Sequence, residues 1–333
     1  MSSPSKSPAP PPLVGNLGVH VREGRDEQEL DPTSTRYQIV EAIVHLALTL
    51  LETREGRRSL TEVATAIIQE RKAYAAAGRR RPQGHIYEDS LANMPIWIDT
   101  FLRRMRRNFP PVLIGRTDGE ASAAKRDWGT DMNAYQAGHD AGVLWVKDSI
   151  ISNMVYVRQQ PRDIAGDSYI LYKFQMVISV AHEIVHFLTG FLTGTMRPHT
   201  PPRVTAKPYG NPYGDTTRSG EAGRYWEHDF LGGFLEMWSL PDDPLDVRQP
   251  GVPFLFLSGK LGEATGREIS MAYIDEFLNK RKVLLSYPHV HSNAAHHEEP
   301  TAAVGTPGNQ RAARRSGVPC GWSGGLAGTR SSS

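Results

Sequence analysis

Five consecutive residues, His-Glu-Ile-Val-His at positions 182–186, have types and spacing suited to metal chemistry. On a helix, His182 and His186 lie four residues apart, so both imidazoles project from the same side and can bind one metal ion. Glu183 lies one position further round, where its carboxylate can reach a water on that ion without being a ligand. Two neutral nitrogen ligands beside a base are what metal-activated hydrolysis requires, so the pattern predicts a catalytic zinc site.

The segment around this motif reads as one long helix. Asp167 and Ser168 are good N-terminal caps and Gly190 is a good C-terminal residue, so we predict a helix between them. With about 100° between successive residues, an apolar stripe lies beside a polar stripe. The apolar stripe comprises Ile170, Phe174, Val177, Ala181, Val185 and Leu188, and the polar one comprises Gln175, Ser179, His182 and His186. We expect the first to pack and the second to face a cleft.

A catalytic zinc site usually has a third protein ligand, and residues 217–233 contain three candidates. This segment reads as a second capped helix that ends in glycines, with Glu221, Glu227 and His228 as candidates. Here the sequence resembles the zincin metallopeptidases, and within them the gluzincins, whose second active-site helix supplies a glutamate from an Asn-Glu-Ala type segment. Residues 220–222, Gly-Glu-Ala, match that segment. The resemblance therefore implies that Glu221 is the third ligand.

The resemblance has two departures and one alternative. Gly220 stands where the gluzincins have Asn, and Tyr225 stands where an aspartate often supports a histidine. Glu227 is the alternative ligand, because from a helix it points to a different side than Glu221, so only one of them can face the cleft. A metzincin site would need a histidine six residues after His186, and Leu192 at that position excludes it.

Other segments suggest secondary roles. Tyr209 or Tyr213, in the proline-rich connection 191–219, could donate to an oxyanion, although packing on proline is the commoner role. The basic run 103–107 is more typical of a solvated helix end than of an anion site. A second histidine group reads as an adventitious metal-binding tail. It comprises His289, His291, His296 and His297.

Hydrophobic patterns define the elements that must position the motif. Residues 35–51 predict a buried helix, residues 59–62 (Ser-Leu-Thr-Glu) predict the capped start of a second helix, and residues 96–107 predict a third. Residues 142–146 and 150–157 are rich in β-branched side chains and predict strands just before the metal-bearing helix. Together these elements predict an α+β fold of the zincin type with a small sheet.

Composition restricts the setting. The formal net charge of the 333 residues is +2, so nothing in the charge points to nucleic acid or a membrane as partner. Residues 1–33 and 291–333 read as disordered tails around one domain at 34–290, and the single cysteine, Cys320, lies in the second tail. We find no signal-like segment and no run of about 18 apolar residues. These features predict a soluble cytoplasmic protein.

The sequence as a whole predicts a zinc metallopeptidase that acts on a peptide or protein. Zinc would polarise the substrate carbonyl and activate a water, and Glu183 would take the proton of that water. The alternative is a non-catalytic protein that keeps the zincin scaffold for binding or regulation. Glu183 separates the two, because a purely structural site needs both histidines but not that carboxylate.

Overall fold

The chain forms helices and strands in an α+β arrangement, as the sequence predicts. A computed structural model describes residues 13–76, 85–161, 166–194, 200–205, 220–238, 250–256 and 266–280. The helices in these ranges are α1 (Thr35–Leu51), α2 (Arg54–Ala76), α3 (Met94–Arg107), α4 (Ala137–Asp140), α5 (Asp148–Gln159), α6 (Ser168–Thr193), α7 (Ala222–Leu231) and α8 (Met271–Lys280). The strands are β1 (Val19–Glu23), β2 (Asp26–Glu29), β3 (Val112–Gly115), β4 (Ala121–Lys125), β5 (Gly142–Lys147), β6 (Phe234–Trp238), β7 (Val252–Phe256) and β8 (Gly266–Glu268).

The larger sheet has five strands in the order β2-β1-β3-β5-β4. Strands β1, β3 and β5 run parallel, whereas β2 and β4 pair antiparallel at the two edges. Among the described residues, strand β4 pairs only with β5, with Ala123 opposite Leu144, and helix α6 packs against β4. The helix that carries the histidine motif therefore lies beside a strand at the edge of the described sheet. The second sheet is antiparallel, in the order β6-β7-β8.

Two helix predictions agree with the structure because local signals and burial coincide there. Helix α1 spans Thr35–Leu51, and the side chain of Ser34 caps it by accepting from the amide of Tyr37. Helix α3 ends at Arg107 as predicted and begins two residues earlier than predicted, at Met94, with a proline in its first turn. Within the basic run, Arg104 binds the carbonyl of Met132, so part of this run has a structural role.

The predicted start of the second helix at residues 59–62 is wrong. Helix α2 begins at Arg54, and the amide of Gly56 donates to Thr53 Oγ1 at 3.0 Å, which is how a side chain caps a first turn. Ser59 lies inside the helix and is fully buried. The pattern of a capping box thus occurs here within a continuous helix, because packing of the buried face determines where the helix starts.

The prediction of a strand at residues 150–157 is also wrong, whereas β5 confirms the strand at 142–146. Residues 148–159 form helix α5. Its buried residues are Ile151, Met154 and Val157, which recur every three positions as on a helix face. The β-branched composition favoured a strand, but packing of this face in the core outweighs that weak local preference.

Helix α6 starts at Ser168 as predicted but continues past Gly190 to Thr193. Gly194, with φ of 71°, is its left-handed cap, and its amide donates to the carbonyl of Gly190 at 2.8 Å. Phe191 is fully buried and stacks on Trp128, which explains why the helix extends into the core. Both predicted stripes of the helix are largely buried, and His186 is the more exposed of the two motif histidines.

Part of the predicted N-terminal tail is ordered, so the boundary at residue 33 is wrong. Strand β1 pairs in parallel with β3, and Val19 is fully buried between its neighbours. The partner strand lies about ninety residues away, so the local polar composition gives no sign of this pairing. Residues 1–12 and 281–333, including Cys320 and the second histidine group, lie outside the described residues, as do Tyr209 and Tyr213.

Helix α6 is long and apolar enough to cross a membrane by length and composition alone. Within the fold, 94% of its most apolar 18-residue window is buried. Burial of this kind is what the core helix of a soluble protein shows. The apolar composition of α6 therefore agrees with the prediction of a soluble protein.

Candidate metal centre

Helices α6 and α7 bring three possible ligand atoms to one point. His182 Nε2 and His186 Nε2 are 3.3 Å apart, as expected for histidines on successive turns. Glu221 Oε1 lies 2.6 Å from His186 Nε2 and 3.5 Å from His182 Nε2. Ligand atoms about 2.0 to 2.1 Å from a tetrahedral zinc ion are about 3.3 Å from each other. The three atoms therefore fit a zinc ion with only a small opening of the contact between His186 and Glu221.

The sequence predicts Glu221 within a helix. In the structure, Glu221 instead reaches the histidines from the residue just before α7. It is the N-cap residue, and its carboxylate accepts from the amide of Arg224. The backbone before it is held by the segment 200–205, where the amide of Gly220 donates to Thr200 and that of Glu221 donates to Val204. A Cβ at position 220 would lie closer than 3.0 Å to the backbone carbonyl oxygens of Pro201 and Val204. Glycine in place of Asn is thus a packing requirement here.

Glu227 lies behind His182 and does not compete with Glu221. Its Oε1 accepts from His182 Nδ1 at 2.6 Å, on the ring side opposite Nε2. A carboxylate in this position fixes the tautomer and orientation of a histidine ligand. Only Glu221 lies at the two Nε2 atoms, and it does so from the N-cap position that precedes the helix. His228, the third candidate, packs against the ring of Phe234 instead.

Arg224 anchors this supporting carboxylate. Its guanidinium lies 3.2 Å from Glu227 and 2.8 Å from Glu236 of strand β6. Glu227 is fully buried, so its charge needs such a partner. A chain of charged groups therefore runs from His182 through Glu227 and Arg224 to Glu236. Neither Arg224 nor Glu236 was expected from the sequence, since only the spacing of three between Arg224 and Glu227 hints at their pairing.

The negative charges of Glu221 and Glu227 favour a positive charge at the position of His182. Burial by itself lowers the pKa of His182, but the charge of Glu221 and the hydrogen bonds that Glu221 and Glu227 accept from the ring outweigh burial and raise it to about 10. Burial raises the pKa of Glu221, yet the two histidines more than reverse this and hold it well below its usual range. In the metal-free protein, a proton on His182 supplies this positive charge. A bound divalent cation would supply it instead.

Zinc binding is therefore expected to release a proton. The pKa of His182 is about 10 without metal, so the ring carries a proton at pH 7, whereas a ligand must be neutral. Calorimetric titration of zinc into metal-free protein at pH 7, in two buffers of different ionisation enthalpy, should show about one proton released per zinc. Apparent zinc affinity should accordingly rise about tenfold per pH unit above pH 7 until that pKa is reached. Binding without proton release would show that His182 is already neutral in the metal-free protein.

Gly223 allows α7 to approach the histidine closely. A Cβ built at this position would lie closer than 3.0 Å to the imidazole of His182. Gly223→Ala should therefore destabilise the protein by about 1 to 3 kcal/mol through overpacking, although alanine normally stabilises a helix relative to glycine. It should also weaken zinc binding, as measured by competition with a chromophoric chelator.

Gly190→Ala is the matched control for this substitution. Its Cβ would lie 3.7 Å from the stem of Lys125, an ordinary contact, within the same type of secondary structure. This variant should unfold at or above the wild-type temperature and keep its zinc affinity. Equal zinc affinity in Gly223→Ala and wild type would show that His182 is not held by the approach of α7.

Glu183 lies beside the cluster and is held by the edge of β4 that faces away from β5. Its Oε2 accepts from the amide of Ala123 at 2.7 Å. His182, Glu183 and His186 offer atoms within 4.8 Å of one another, so this carboxylate is near enough to act on a group bound there. Glu221 is nevertheless the candidate for the third ligand, because its Oε1 lies 2.6 Å and 3.5 Å from the two Nε2 atoms.

Two further ionisable groups face this region. Burial lowers the pKa of Lys125 on β4, while Glu183 and Glu221 act in the opposite direction. Burial raises the pKa of Glu120, just before β4, to about 7. One of its oxygens accepts from Gln175, and the other has no partner among the described residues. No motif in the sequence marks either residue, because the pairing of β4 with β5 brings them here.

Comparison of the chain with protein-family models, with curated proteins and with solved structures found no match.

Proposed function

We propose that this protein is a zinc metallopeptidase of the zincin type, with a gluzincin-like ligand set. His182, His186 and Glu221 would hold the ion, and Glu183 would be the general base. The observation that carries the proposal is the triangle of ligand atoms, with sides of 2.6, 3.3 and 3.5 Å, beside an additional carboxylate. Three protein ligands leave one position of a tetrahedral zinc ion open, which is typical of catalytic sites and not of structural ones.

Zinc bound there would polarise a carbonyl oxygen and make a water more acidic. The residues of this chain account for the proton transfers. Glu183 takes a proton from the attacking water and delivers it to the nitrogen of the leaving amine. His182 is kept in one orientation by Glu227, so the ligand geometry need not reorganise during the reaction.

An extended peptide is the substrate class that the surroundings favour. Strand β4 has β5 on one side and an unpaired edge on the other within the described residues. The amide of Ala123 points from that edge toward Glu183, so a peptide strand added there would pass the metal centre. Addition of a strand to a free edge supplies affinity through main-chain hydrogen bonds. We also propose that the protein is cytoplasmic and that it binds neither nucleic acid nor a membrane.

Zinc analysis and a peptide library test the proposal together. Purified wild-type protein should contain about one equivalent of zinc and cleave internal bonds of some library peptides. Dialysis against a chelator should abolish cleavage, and added zinc should restore it. Zinc without cleavage of any peptide would favour the non-catalytic alternative, and absence of zinc would refute the metal centre itself.

A further inference from the structure

Lys125 is a cation placed beside the candidate metal centre. It is the last residue of the edge strand β4, opposite Gly142 and two residues beyond Ala123. Its aliphatic stem runs along α6 at Gly190, since the stem carbons lie 3.7 Å from the position that a Cβ there would occupy. Gly190 lies one helical turn after His186, on the same side of α6. The register of β4 and the contact with α6 therefore place the side chain of Lys125 beside the histidine motif.

The ammonium of Lys125 has carboxylates nearby but is bound to none of them. Its electrostatic neighbours are Glu183 and Glu221. Among the residues that the structure describes, it makes no hydrogen bond or ion pair. Glu183 is instead held by Ala123, and Glu221 by the histidines and Arg224. Lys125 is therefore available to a group that binds beside the candidate metal centre.

The charges around the candidate metal centre indicate what that group is. A zinc ion with two neutral histidines and one carboxylate carries a net charge of about +1. Once Glu183 has accepted a proton it is neutral, and the zinc site and Lys125 then present two positive charges to each other. An anion between these two positive charges would be attracted by both of them, and low dielectric strengthens that attraction.

We propose that Lys125 is a catalytic residue whose ammonium binds the anionic oxygen that develops on the substrate carbonyl. This inference rests on the proposed function. As water attacks the carbonyl carbon, the π electrons of the C=O bond move to that oxygen, and the proton of water goes to Glu183. On collapse the C=O bond re-forms, the C–N bond breaks, and the proton moves from Glu183 to the amine. Lys125 keeps its own protons throughout.

Substitution of Lys125 tests this role in the zinc-loaded protein. Lys125→Met keeps the stem against Gly190 and removes the charge, whereas Lys125→Arg keeps the charge. Lys173→Met is the matched control, because it removes a lysine charge from α6 about two and a half turns before His182. Zinc content, affinity for inorganic phosphate measured by calorimetry, and kcat and KM on a library peptide are measured for each variant.

We expect Lys125→Met to keep one zinc and its unfolding temperature. Its phosphate affinity should fall at least tenfold and its kcat about a hundredfold, the usual effect of losing one oxyanion donor. KM should change little, Lys125→Arg should recover most of both losses, and Lys173→Met should behave as wild type.

Several outcomes would overturn the inference. Unchanged phosphate affinity and kcat in Lys125→Met, with zinc present, would refute it and leave the proposed function intact. A rise in KM confined to peptides with a free C-terminal carboxylate, and absent for amidated ones, would show that Lys125 binds that terminus instead. Phosphate binding through Lys125 without any peptide cleavage by wild type would refute both the catalytic role and the peptidase. A wild type without zinc would refute the proposed function at its first step.

Discussion

Glu183→Gln is expected to retain zinc and the fold while peptide hydrolysis falls at least about a hundredfold, the scale of a lost general base. The carboxylate lies about 60° around α6 from His186 and about 100° from His182, so it is next to the ligands without being one. Glutamine preserves the size of the side chain and can still accept from the amide of Ala123 through its carbonyl oxygen. The loss would therefore report proton transfer. Steady-state hydrolysis of a library peptide and zinc analysis provide the two measurements.

Glu29→Gln is the matched control for this substitution. Glu29 is exposed on β2, at the opposite edge of the same sheet, so the identical chemical change there should leave activity unchanged. Wild-type cleavage by Glu183→Gln would show that Glu183 is not the base. Loss of zinc in that variant would instead identify Glu183 as a ligand, in place of Glu221.

Alanine substitutions of the ligands and of their support should fall into two classes of zinc affinity. His182→Ala, His186→Ala and Glu221→Ala each remove an atom of the ligand triangle, so each should lose most of its zinc on purification. Glu227→Ala removes only the carboxylate behind His182, and its affinity should fall by about 10- to 100-fold, the usual effect of losing such a partner. Competition with a chromophoric chelator measures all four variants on one scale.

His139→Ala supplies the control for this series. His139 lies 2.7 Å from Asp140 in a histidine–carboxylate pair like that of His182, but its side chain is 74% exposed and lies outside the cluster. Its loss should leave zinc affinity unchanged. If Glu227→Ala loses all zinc while Glu221→Ala keeps it, Glu227 is the third ligand, and Glu221 does not lie at the two Nε2 atoms when zinc is bound.

The sequence by itself determined the features that depend on local spacing. Helix α1 and the start of α6 follow from caps and from apolar periodicity that burial reinforces. The pairing of His182 with His186 needs only the helical repeat, so it was predictable once α6 was recognised. The choice of Glu221 came from a resemblance in three residues, and the structure places its oxygen against both histidines.

Tertiary structure alone decided the features in which distant segments meet. Local composition favours a strand at 150–157, but packing against the core makes this segment a helix. Local composition also favours a disordered tail before residue 33, but part of that segment forms β1, which pairs with the distant strand β3. Glu227 supports His182 because α7 begins after Glu221, a difference in helix start that propensity does not resolve. Lys125 lies beside the candidate metal centre because β4 pairs antiparallel with β5 next to α6, and contacts of this kind depend on register between separate elements and not on neighbouring residues.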